Sequence, residues 1–152
     1  MPSATFTHTS TAAVALSEVW AALDKPETWE AIGGVDRVVN PTIDDQGRLR
    51  GFSFDTLISG KAYRGQASSA GRKEGESIAW HVENSEVTGL TTVDLKPMPG
   101  GTSIKVSLTV ESRGFLAGVF FSVISSAIGN GLPASVDNFA AGFERSDDRG
   151  NG

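Results

Sequence analysis

Cysteine is absent from the 152 residues, which removes disulfide frameworks, thiolate nucleophiles, cysteine-ligated zinc and iron–sulfur clusters. Histidine occurs twice, at His8 and His81, too few for a histidine-built metal site. Positive charge is scarce as well: 13 Lys and Arg against 18 Asp and Glu leave a net charge of −5. The basic footprint of a nucleic-acid binder is missing, and so is a polybasic patch for an acidic lipid surface. No nucleic-acid partner is expected, and membrane contact is not expected either. Residues 114–136 form the longest uncharged stretch, but Ser122, Ser125, Ser126, Gly129, Gly131 and Pro133 interrupt it. That composition suits a buried helix better than a membrane span. Met1–Ala13 carries neither the basic nor the apolar region of a signal peptide, so a cytoplasmic location is the expectation.

Catalytic signatures are also lacking. There is no Gly-x-Ser-x-Gly, no Walker lysine loop and no His-Glu-x-x-His. Gly129, Gly131 and Ala134 are spaced like a degenerate dinucleotide fingerprint, but they follow a helical pattern where that motif needs a strand. Asp44-Asp45-Gln46-Gly47 lacks the spaced ligands and terminal Glu of a calcium loop and reads as a hairpin turn. Neither a metal nor a cofactor is expected.

What the chain does have is 18 Gly and 29 Ser plus Thr beside a 39% hydrophobic fraction. This suits one domain over residues 1–145 with a polar, fraying tail at 146–152. Thr5, Thr7, Thr9 and Thr11 alternate with Phe6, His8 and Ser10, the period of a strand. Leu16, Val19, Trp20 and Leu23 then fall at helical spacing. Pro26 opens a second short helix bearing Trp29 and Ile32, which Gly33-Gly34 ends. From Val35 to Ser112 turn signals at 44–47, 59–61, 74–75, 85–86 and 97–101 divide the chain into six strands, an antiparallel meander. Alternation turns Ile78, Trp80, Val82, Thr91, Val93, Leu95, Ile104, Val106, Leu108 and Val110 inward, and leaves His81 and Glu83 outward. Phe52 and Phe54 share one face, and Tyr63, Gly65 and Ala67 form another inward set whose small members suggest space. Apolar residues at steps of three and four over Phe115–Phe143 predict a long closing helix, bent near Gly129–Pro133.

Strand, two short helices, six strands and a long helix make an order that resembles the START-like or SRPBCC superfamily of polyketide cyclases, lipid-transfer and plant pathogenesis-related proteins. Ser17-Glu18-Val19-Trp20-Ala21-Ala22-Leu23-Asp24-Lys25-Pro26-Glu27-Thr28-Trp29 is similar to that superfamily's opening segment, and Gly100-Gly101-Thr102 precedes the final strand as it does there. Ala31-Ile32-Gly33-Gly34-Val35-Asp36 is similar to a segment of the carbon monoxide dehydrogenase accessory-subunit branch, with Gly33 where that branch has proline. The resemblance implies an α+β helix-grip fold: a curved seven-stranded antiparallel sheet, two short helices after strand 1, and a long C-terminal helix across the concave face.

The inward residues are mostly aromatic and aliphatic with a few polar atoms, as in an apolar ligand pocket. The expected partner is a small hydrophobic or amphipathic molecule, lipid, quinone or polyketide-like, walled by Phe52, Phe54, Tyr63, Trp80, Leu95, Val106, Phe120 and Ile124. His8 and Tyr63 are the candidates for moving a proton should the cavity be that of an aromatase/cyclase-type enzyme, with Ser69 or Thr91 assisting. His8 has no acidic neighbour in sequence, and such a residue is more often simply packed. A third alternative is an assembly or membrane accessory like the dehydrogenase-associated branch, in which Phe115–Phe121 meets the partner. The oligomeric state is not legible.

Overall fold

In the computed structural model, residues 3–32, 37–58, 61–84, 87–112 and 130–143 are described. The chain runs β1 (Ser3–Ala12), α1 (Leu16–Ala22), α2 (Pro26–Ile32), β2 (Arg37–Ile43), β3 (Leu49–Ile58), β4 (Lys61–Lys73), β5 (Ser77–Glu83), β6 (Val87–Met98) and β7 (Gly101–Ser112). Residues 130–143 form a helix, α3. The seven strands make one antiparallel sheet in the order β1-β7-β6-β5-β4-β3-β2. Consecutive hairpins build six of the seven, and β1 returns to pair with β7 over Ser3–Ala12. Fold class and strand count are those expected from the sequence, and the described turns after Ile43, Lys73 and Met98 fall at the expected Asp44–Gly47, Glu74-Gly75 and Pro97–Gly101 signals.

The alternating pattern of the strands separates two faces. On the outer face of β1 and β7 hydroxyls form a ladder, with Thr5 and Thr109 3.1 Å apart and Thr7 donating to Ser107 at 3.4 Å. These side chains need no burial, which is where much of the serine and threonine goes. The inner face and the helices share one hydrophobic core. Phe52, Phe54, Ile78, Trp80, Val93, Leu95, Ile104 and Val106 of the sheet join Val19, Leu23, Trp29 and Ile32 of the α1–α2 segment and Leu132, Val136 and Ala140 of α3. The spacing of these last three, four residues apart, lays one stripe of α3 on the sheet. A smaller cluster of Val87, Leu108 and Val110 continues the same face, and Phe6 packs against both.

The corner between α1 and α2 is fixed by bonds back to the first helix. Thr28 donates its hydroxyl to the Ala22 carbonyl at 2.5 Å, and the Trp29 indole donates to Leu23 at 2.9 Å. Of the expected bend near Gly129–Pro133, the described part is continuous helix: Pro133 stands within α3, and Gly129 lies outside the described residues.

Candidate functional site

Register places the inward side chains in transverse rows, because residues directly opposite in neighbouring strands share a face. One row runs Arg72, Ile78, Val93, Val106, His8 from β4 to β1. The next runs Ser69, Trp80, Thr91, Leu108, Phe6. The first row is aliphatic in the middle and charged or polar at both ends. At each end the polar group ties a helical element to the sheet.

At the β4 end Arg72 donates two parallel bonds to Asp24, at 2.8 and 2.9 Å, and a third to Glu74 at 2.7 Å. Its guanidinium lies 5.0 Å from the centre of the Trp20 ring, within cation–π range. Asp24 follows α1 and also accepts the Leu49 N–H at 3.2 Å. The Arg72 and Asp24 side chains are only 9% and 20% exposed. Burial pushes the Asp24 carboxyl up, and the bonds from Arg72 and Leu49 outweigh it, leaving the group below its ordinary value. Asp24 in turn holds the Arg72 guanidinium above its ordinary range.

At the β1 end the His8 Nε2–H donates to Asp137 of α3 at 2.8 Å. Hydrogen bonds from His8 and then Ser10 lower the Asp137 carboxyl, so near neutrality it is an anionic acceptor and Nε2 carries the proton. The acidic partner that His8 lacks along the sequence comes from a helix 129 positions away. A carboxyl lowered by folding stabilises above its ordinary 3.8 and loses that contribution as pH falls through its folded value. Asp137→Asn should therefore flatten the acid side of a Tm-against-pH profile, with only a small drop in Tm near neutrality because the carboxyl is exposed. Differential scanning fluorimetry across pH checks this.

Phe52, Phe54, Trp80, Leu95 and Val106 all lie in the one core cluster. The Trp80 ring sits 5.3 Å from Phe52 and 5.5 Å from Trp29, edge-on to the latter. Gly65 of β4 does not leave the space its size suggests. A Cβ at Gly65 would run into the Phe54 ring and would meet the Glu83 carbonyl oxygen at 2.7 Å, so Phe54 occupies that room. Tyr63 is half-buried on the face of Gly65 and Ala67. Four strand spacings separate β4 from β1, about 19 Å along the sheet, so His8 and Tyr63 are not brought together. Phe120, Ile124 and Phe115–Phe121 lie outside the described residues.

Trp80 carries the feature that sequence reading could not supply. The chain has three tryptophans. Trp20 donates its indole N–H to Glu74 at 3.3 Å, and Trp29 donates to Leu23. Trp80 is 1% exposed, and its Nε1 has no hydrogen-bond partner among the described residues. A buried donor left unmet costs about 1–3 kcal/mol, and buried indoles usually find an acceptor.

No family model matches the chain, and no curated protein matches it. Solved structures do. A protein of Thermus thermophilus aligns with a TM-score of 0.72 at 11% identity, over 94% of this chain and 99% of that one. A START superfamily protein of Mycobacterium smegmatis aligns with a TM-score of 0.58 at 15% identity, over 83% of this chain and 94% of that one. The Zhui aromatase/cyclase of Streptomyces sp. R1128 gives 0.61 at 14%, over 86% and 92%. The chain has the START-like fold. At such identities the likeness establishes architecture, and chemistry has to be argued from the site.

One opening in this START-like frame lies between the α1–α2 segment and α3. It is a groove of about 390 Å³ lined by Ala22, Thr28, Ala31, Phe139, Gly142 and Phe143 together with the polar side chains of Lys25, Glu27 and Asn138. Phe139 and Phe143 stack edge-to-face at 5.1 Å and pack against the main core. Through these two rings the groove adjoins the main core, and its lining supplies a cation in Lys25, a carboxylate in Glu27 and an amide in Asn138. Among the described residues no helix is long and apolar enough to cross a membrane.

Proposed function

We propose that the chain binds a small hydrophobic or amphipathic molecule, of lipid, quinone or polyketide-like kind, between the concave face of the sheet and the C-terminal helix. The observation that carries this reading is the groove between the α1–α2 segment and α3, where Phe139 and Phe143 pack against the core that α3 shares with the concave face. Apolar walls with a few polar groups are the usual make-up of a small-molecule site. The START-like fold supports the same reading, since it lays a helix over the concave sheet and encloses apolar surface between them. A cytoplasmic carrier is the form we favour.

Displacement of 1-anilinonaphthalene-8-sulfonate by fatty acids, quinones and polyketide-like aromatics tests it. One saturable site per chain is expected, with affinity weakened about fivefold in Phe139→Ala, as for loss of roughly 1 kcal/mol from a contact residue. Absence of saturable binding by every class would overturn the proposal.

A further inference from the structure

Resting on that ligand-binding reading, we propose that Trp80 is the polar anchor of the site, donating its indole N–H to a neutral carbonyl oxygen of the ligand. The class of molecule is then an apolar ring system or chain bearing a ketone or quinone oxygen, in preference to a plain hydrocarbon.

Three observations lead there. First, the indole N–H of Trp80 is buried and unpartnered among the described residues, whereas those of Trp20 and Trp29 are both bonded. Second, Trp80 stands in the middle of the concave face with a hydroxyl on either side. Ser69 and Thr91 are its direct register partners in β4 and β6, and both are half-buried. The three side chains form a short polar strip in an otherwise apolar row that ends in Leu108 and Phe6. Third, the charged groups of this face among the described residues are already committed. Arg72 is bound to Asp24 and Glu74, and His8 to Asp137. A carboxylate beside Trp80 would lose its hydration and gain no free counter-charge there. A neutral acceptor satisfies the indole without that penalty. Anionic headgroups belong instead in the groove, near Lys25.

The probes are menadione (2-methyl-1,4-naphthoquinone) and 2-methylnaphthalene, which share a ring frame and differ in two carbonyls. The lack of cysteine removes thiol addition to the quinone as a complication. Wild-type protein should bind menadione about fivefold to tenfold more tightly, the worth of one net hydrogen bond. Trp80→Phe should bind both probes equally, by loss of affinity for menadione alone. In the ¹⁵N-labelled wild-type chain three indole N–H signals are expected, and menadione should move that of Trp80 downfield while 2-methylnaphthalene does not. This arm decides the question if Trp80→Phe does not fold. Equal wild-type affinities, a preference that survives in Trp80→Phe, or an indole signal held by a buried water and unmoved by menadione would overturn the assignment and leave the ligand-binding reading standing. Failure of both probes to bind would overturn the assignment, and the ligand-binding reading falls with it only if fatty acids also show no saturable binding.

Discussion

Replacing Arg72 with methionine is expected to lower the unfolding free energy by about 3 kcal/mol. Methionine fills the volume of the stem, but Asp24, four-fifths buried, keeps its charge and loses both parallel bonds. The same change releases Glu74 and strips the cation from the Trp20 ring. Lysine should recover little, since a point charge cannot make the paired bonds. Chemical denaturation near neutral pH measures the loss. The pH dependence supplies a second signature. Folding holds the Asp24 carboxyl below its ordinary 3.8, so its contribution is present above that value and disappears as pH falls through the folded one. Wild-type stability should decline on acidification below about pH 4, and in Arg72→Met the Asp24 share of that decline should vanish.

Gly65→Ala is expected to cost about 1–3 kcal/mol, the range for overpacking a filled interior. The added methyl group meets the Phe54 ring on one side and the backbone oxygen of Glu83 on the other. The ring can turn, but the backbone of β5 cannot retreat without disturbing its ladder with β4. Phe54→Leu in the same chain should recover part of the loss, so that the double mutant is more stable than the sum of the single changes predicts. Additive losses would mean that the Glu83 oxygen, and not the ring, sets the limit. Thermal unfolding of the four proteins of the cycle distinguishes the two.

Those two sites also show where sequence reading succeeds and where it stops. Along β5, β6 and β7 strict alternation is enough: Ile78, Trp80, Val93, Leu95, Ile104 and Val106 are buried as their period requires, and His81 is exposed. Alternation counted from Tyr63 along β4 would turn Arg72 outward. An irregularity in pairing between Ser69 and Gly71 shifts the phase by one residue, and Arg72 comes to face inward beside Ile78. No single residue type announces such a bulge, so the Asp24–Arg72 clamp was invisible to periodicity. Gly65 illustrates a different limit. Its small size was legible, but whether the space is empty depends on the rotamer of Phe54 in the next strand. The partner of His8 depends on how α3 crosses the sheet, which brings together positions 8 and 137. The open valence of Trp80 is of the same kind, because an unpaired donor is defined only once every neighbour has been placed.

What the candidate site owes to the sequence is therefore its composition, an apolar inward face with few polar atoms. What it owes to the fold is the commitment of those atoms. Arg72 and His8 hold helical elements down at the two ends of one row, and Trp80 in the adjacent row keeps a donor uncommitted among the described residues. This division of labour makes containment of a neutral, largely apolar molecule the natural use of the concave face.

Titration of the ¹⁵N-labelled chain with menadione, followed through its amide and indole signals, tests that claim most directly. Saturable shifts centred on Ser69, Trp80 and Thr91 and running along Val136–Phe143 of α3, with the outer-face residues Thr7, His81, Leu90 and Lys105 unmoved, are the expected result. Shifts centred on the outer face, or none that saturate, would contradict it.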